Sequence, residues 1–309
     1  MGSGAKRNPC VVTSDGSAGC FHDDLSVSYI KLGNGGPLVD DAVAITNGEY
    51  GDQGSFCLVR KNGAVHCGTN GVANATPVIA SGALAVGRLG INSDYCAQMD
   101  DNTIRCGSPG GAPTTRISNT TSPISSMSCY KEDCCAVLEN GKIQCATGNQ
   151  DFLSGLGLVT YFSGGDNNKC AIYADGSAYC DGENWNGQLG IPGYDSQNRQ
   201  SPVPTFTSGM VASACGQHTA CWLADSGKVY CSGAGSNEAG SGGGSRSPTV
   251  IKDQNGAEIT NAVSITAGRE FSCAALKTGE LKCWGFGSAT ARTVNLQGKS
   301  VYMPAECRE

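Results

Sequence analysis

Fourteen of the eighteen cysteines form seven pairs, each with the same separation of ten positions: Cys10/Cys20, Cys57/Cys67, Cys96/Cys106, Cys135/Cys145, Cys170/Cys180, Cys221/Cys231 and Cys273/Cys283. This spacing restricts the local structure to very few forms. In the second pair, Cys57-Leu-Val-Arg-Lys-Asn-Gly-Ala-Val-His-Cys67, folding about Asn62 sets Leu58 opposite His66, Val59 opposite Val65 and Arg60 opposite Ala64. Lys61-Asn62-Gly63 is left as a three-residue loop, a type I turn followed by a residue of positive φ. That position favours glycine, with asparagine as second choice, because a Cβ is costly there. The sixth residue after the first cysteine is Gly16, Gly63, Asn102, Gly141, Gly176, Gly227 and Gly279. Every repeat obeys the rule, so each pair should bracket a β-hairpin with its cysteines directly opposite. Their Cα atoms should then lie ~4.5–5.5 Å apart, within disulfide reach.

Zinc sites use C-x2-C spacings with converging ligands. The chain has no CxxC, and its three histidines, His22, His66 and His218, follow no ligand spacing. Seven disulfides are the expectation, with no metal and no cofactor. Disulfides at this density belong to an oxidising compartment, which predicts an extracellular protein, secreted or on a cell surface. Cys129, Cys134, Cys215 and Cys307 remain. Four cysteines allow three pairings; Cys129–Cys134 and Cys215–Cys307 is the one adopted here.

The first cysteines of successive pairs lie 47, 39, 39, 35, 51 and 52 residues apart. That period suits one four-stranded propeller blade. Short apolar runs precede six of the pairs, at Val43–Ile45, Leu84–Val86, Ile124–Met127, Val159–Tyr161, Val211–Ser213 and Val263–Ile265. None precedes Cys10; the seventh run, Val301–Met303, stands at the far end of the chain. Circular closure accounts for this, because a last strand that joins the first blade leaves no blade edge unpaired. The expected fold is all-β, a seven-bladed β-propeller with blade 1 closed by the C-terminal strand. Residues 1–9 should form a tail, and 10–309 a single propeller.

At this point particular residues resemble a known family. Cys180-Asp-Gly-Glu-Asn-Trp-Asn-Gly-Gln-Leu-Gly190 is similar to the WGxNxxGQLG segment of the RCC1-like β-propeller repeats, as are Cys283-Trp-Gly285 and the element from Gly268 to Leu276. The paired cysteines resemble the extracellular variants of that repeat. The resemblance gives Trp284 and Trp185 structural roles; of the three tryptophans, Trp222 is the one to watch for exposure. It leaves function open, since propellers host many activities.

The net charge is −6 and there is no Lys/Arg cluster, which argues against nucleic acid as a partner. No apolar run approaches the roughly 18 residues of a membrane span, so membrane insertion is not expected. The chain lacks a nucleophile elbow, HExxH and nucleotide loops, and the carboxylate doublets at 23–24, 40–41 and 100–101 lie on different repeats. Binding should instead use the loops before each first cysteine, which alternate sides with the hairpin tips and so share one face. They supply Glu49, Tyr50 and Asp52; Asp94 and Tyr95; Tyr130; Asp166 and Asn167; His218; and Arg269 and Phe271. This polar-aromatic mixture suits a glycan or a protein surface. The expected function is a non-enzymatic recognition or adhesion module, alone or as one part of a larger or oligomeric surface protein. A secreted inhibitor that plugs an enzyme's active site, and a propeller hydrolase or lyase, are the alternatives.

Overall fold

A computed structural model of the chain describes residues 9–22, 24–47, 55–69, 72–89, 94–130, 133–148, 156–191, 199–233, 245–268, 271–285 and 287–303. Among these residues there is no helix, and so none long and apolar enough to cross a membrane. Twenty-seven strands among the described residues form seven sheets, the blades of a seven-bladed β-propeller. The chain divides into two compact units: residues 1–138 with 145–147 and 295–306, and residues 139–144 with 148–294 and 307–309.

Each cysteine pair brackets a hairpin. The register sets Cys10 opposite Cys20, Cys57 opposite Cys67, Cys96 opposite Cys106, Cys170 opposite Cys180, Cys221 opposite Cys231 and Cys273 opposite Cys283. All seven pairs are disulfide-bonded, as is Cys129 with Cys134. The Cα atoms of bonded pairs lie 3.9 to 4.1 Å apart, closer than the expected range. The turn explains this. The Met99 N–H donates to Thr103 O, so counting back along the ladder places Cys96 and Cys106 at a non-hydrogen-bonded pair. Such pairs approach most closely, and the covalent bond draws them in further.

The sixth residue after each first cysteine has positive φ in all seven hairpins, from 64° at Asn102 to 84° at Gly16 and Gly279. Conformation is only part of the reason for glycine here. A Cβ on Gly63 would lie 2.4 Å from the Gly82 nitrogen, because the tip presses on the strand entering the next blade. Tip carbonyls accept backbone hydrogen bonds from that strand: Gly16 from Ala42, Gly63 from Ala83, Gly141 from Val159, Gly176 from Met210 and Gly227 from Ala262. At Asn102 the side chain takes over, its Oδ1 accepting from Ile124 N at 2.6 Å.

The strand that opens the hairpin, second in its blade, is buried on both faces, so its residues alternate between two cores. In the first unit, Phe56 and Leu58 pack toward blade 1 with Val12, Ile30 and Val39, whereas Cys57 and Val59 pack toward blade 3 with Tyr95 and Met99. In the second unit, Trp222 packs toward blade 5 with Leu189 and Ile172, and Cys221 and Leu223 toward blade 7 with Ile251 and Trp284. The disulfides of these blades face the following blade and form part of its core.

The C-terminal segment completes blade 1. Thr13 pairs with Val301, the Tyr302 N–H donates to Val12 O and the Ser14 N–H to Ser300 O. Tyr29 Oη donates to Leu296 O, and Lys299 lies 4.6 Å above the Tyr29 ring while its Nζ reaches Asp15 at 2.6 Å.

Candidate functional site

In the second unit the loops before the first cysteines share one form. The N–H of Gly165, Gly216 and Gly268 donates to the carbonyl three residues on, of Asn168, Thr219 and Phe271 respectively. The loops stack glycine on glycine. A Cβ on Gly165 would lie 2.3 Å from Gly216 O, and one on Gly216 2.1 Å from Gly268 O. In blades 5 and 6 the first residue between is buried, Asp166 and Gln217, and the second stays half-exposed, Asn167 and His218.

The sequence-expected residues therefore part company. Asn167 and His218 remain accessible at the loop end of blades 5 and 6. Asp166 is buried, which corrects its expected place on the binding surface. Tyr95 is fully buried and Phe271 nearly so, because each opens a second strand that is covered on both faces. The Tyr95 hydroxyl lies 3.4 Å from Val78 O, and burial raises its pKa. Neither ring can meet a ligand from that position. Asp94 accepts from Ser108 Oγ at 2.5 Å, and half-buried Tyr130 faces Asp133 in the hairpin that Cys129–Cys134 clamps. Glu49, Tyr50, Asp52 and Arg269 lie outside the described residues, as does Cys307; buried Cys215 has its Sγ 3.3 Å from Ser163 Oγ.

Next to Asn167 the sequence motif of blade 5 builds a rigid turn. The Glu183 N–H donates to Asn167 O at 2.7 Å, and the Gly187 N–H to Asn184 O at 3.1 Å. Asn184 Oδ1 accepts from Leu189 N and Gln188 Oε1 from Asn186 N, at 3.1 and 3.0 Å. Leu189 anchors the turn in the core beside Trp222, whose ring meets Phe206 edge-on at 5.5 Å. Trp185 stands between the two fixed asparagines, and 53% of it is exposed. Trp284 is fully buried as expected, but the expected roles of the other two are exchanged: Trp222 is fully buried and Trp185 is exposed. The motif carried the signal. In NxxGQLG, read here from Asn184 to Gly190, Trp185 occupies an x position that the turn leaves facing out.

Trp185 shares its end of blades 5 and 6 with Asn167, Glu183, Asn186 and His218; exposed Arg246 lies against Gly187. Below them Asp181 is buried, accepting from Gly182 N at 2.6 Å with Lys169 Nζ at 3.9 Å. Burial raises the Asp181 pKa, against the pull of Lys169 and the Gly182 N–H. Two clusters bring cysteine sulfurs together, Cys96 with Cys129 and Cys134, and Asp133 with Cys135 and Cys145. All these sulfurs belong to disulfides and offer no thiolate to a metal.

Residues 262–289 match the family model of the regulator of chromosome condensation (RCC1) repeat. No curated protein sequence matches the chain. Among solved structures, human WBSCR16 is similar with 16% identity and a TM-score of 0.71, over 89% of this chain and 86% of that one. Prp20p of Saccharomyces cerevisiae, in a study of its binding to Gsp1p and histones, is similar with 14% identity and a TM-score of 0.68, over 100% and 94%. The ectodomain of the Physcomitrella patens receptor kinase CR4 is similar with 17% identity and a TM-score of 0.53, over 80% of this chain and 64% of that one.

Proposed function

For a chain that carries an RCC1 repeat at residues 262–289 on an RCC1-type propeller, we propose a non-catalytic recognition module that works outside the cell and binds a protein partner. The partner docks on the loop end of blades 5 and 6 with Trp185 as anchor. The observation that carries this reading is the exposed indole on a turn fixed from both sides. Tryptophan is among the residues most enriched at binding hot spots, and a rigid mount loses little entropy on binding. Asn167, Asn186, Glu183 and His218 supply the polar rim such an anchor needs. The disulfides support an oxidising location. Prp20p, with the same fold, binds proteins.

The test is capture with the oxidised protein from the extracellular fraction of its source, with Trp185→Ala in parallel. A protein captured by the parent, whose affinity then falls at least tenfold in the variant, is the expected result. Equal affinity would move the site elsewhere, and failure to capture any protein would overturn the protein-partner reading.

A further inference from the structure

Among the described residues of the second unit, Leu158 and Val211 are large apolar side chains left exposed at the end opposite the loops, where the hairpin tips lie. Every described first strand in blades 2 to 7 begins with a β-bulge, at Val43, Leu84, Ser125, Thr160, Val211 and Val263. A bulge swings its side chain out of the ladder. Ser125 and Thr160 turn their hydroxyls back to the Val137 and Ile172 carbonyls. Val211 cannot, and stays 47% exposed; Leu158, just before its blade's first strand, is 60% exposed and Leu156 42%.

In the second unit these side chains belong to one continuous strip, which backbone contacts trace step by step. Leu158 lies against the blade 4 tip at Gly141, and Leu158 O accepts from Ala174 N in the blade 5 tip. Gly176 of that tip accepts from Met210 N, beside Val211, and Gly209 O accepts from Asp225 N in the blade 6 tip. The three tips present exposed Glu139, Asp175 and Asp225. Along the same strip Lys142 is exposed, and Lys228 is paired with Glu258 at 2.8 Å.

We propose that this strip is a second docking surface, and that it takes a basic protein segment with one apolar face. Leu158 and Val211 would pack against that face while the three acidic tips meet its cations. Charge complementarity selects this occupant. A second copy of the same end would set acid against acid, and an anionic lipid surface would be repelled.

The test uses a synthetic amphipathic Leu/Lys peptide, its Leu/Glu counterpart and fluorescence anisotropy. The parent and Trp185→Ala should bind the Leu/Lys peptide equally, which separates this surface from the loop-end site. Leu158→Ser/Val211→Ser alters two exposed side chains and no charge, and should lose at least tenfold in affinity. The Leu/Glu peptide should bind the parent at least tenfold more weakly. Undiminished binding by the serine variant, equal binding of the two peptides, or no binding of the Leu/Lys peptide would each overturn the proposal.

Discussion

Asn102 stands where the other hairpin tips carry glycine, at a φ of 64°, and its side chain accepts the hydrogen bond from the entering strand that a backbone carbonyl accepts elsewhere. Replacement by alanine keeps the strained conformation and removes the acceptor. Asn102→Ala should therefore cost about 2 kcal/mol in chemical denaturation, whereas Asn102→Gly, which relieves the strain, should stay within about 1 kcal/mol of the parent. Equal costs would show that the left-handed backbone at this tip carries no strain, and no cost in either variant would show that the side-chain bond contributes nothing. This position was legible in the sequence because positive φ admits few residue types. The inward turn of Asp166, Tyr95 and Phe271 was not. It depends on strands covered on both faces and on loops stacked blade upon blade, and neither leaves a local pattern. Trp185 lies between these cases: its place in the motif led to an expected structural role, whereas the x position it occupies is one the turn leaves facing out. Being exposed, it should be replaceable by alanine with a stability change within about 0.5 kcal/mol, so that any binding loss reports on recognition.

Among the elements, the hairpins were readable from ten-residue spacing and turn chemistry, but the bulges that open the first strands were not. A bulge inserts one residue without changing composition, and the apolar runs located the strands without their register. The parallel pairing of Lys31-Leu32 with Asn74-Ala75 was equally silent, having no turn to announce it. The disulfides differ in worth by position. Cys221–Cys231 closes the longer loop and sits in the core facing blade 7; Cys129–Cys134 has a sequence separation of 5. Replacing the first pair with alanines should cost about 3 kcal/mol and the second about 2 kcal/mol by the loop-entropy relation. A larger loss for Cys129/Cys134 would show that the clamp on the blade 4 loop matters beyond entropy.

For the molecule as a whole, displacement of the seventh apolar run to the C-terminus announced the closure of blade 1, and Val301 pairs there with Thr13. The latch also holds a charge. Burial works to raise the Asp15 pKa, but hydrogen bonds from Lys299, Thr13 and Ser17 outweigh it and hold the carboxyl well below its ordinary 3.8. A carboxylate with a depressed folded-state pKa contributes stability that is complete above the unfolded value and fades as pH falls toward the folded one. Lowering the pH from 5 to 2 should thus weaken the closure, and Asp15→Asn should flatten the fall of melting temperature over that interval. An unchanged slope would remove Asp15 from the acid response.

The central claim, a propeller stapled for life outside the cell and built to recognise a partner there, rests first on its cysteines being oxidised in the protein as its source makes it. The direct measurement is peptide mapping by mass spectrometry after alkylation without reductant. The account predicts that the seven ten-residue pairs and Cys129–Cys134 appear as linked peptides and escape alkylation. Alkylation at most of these cysteines would contradict both the staples and the compartment inferred from them.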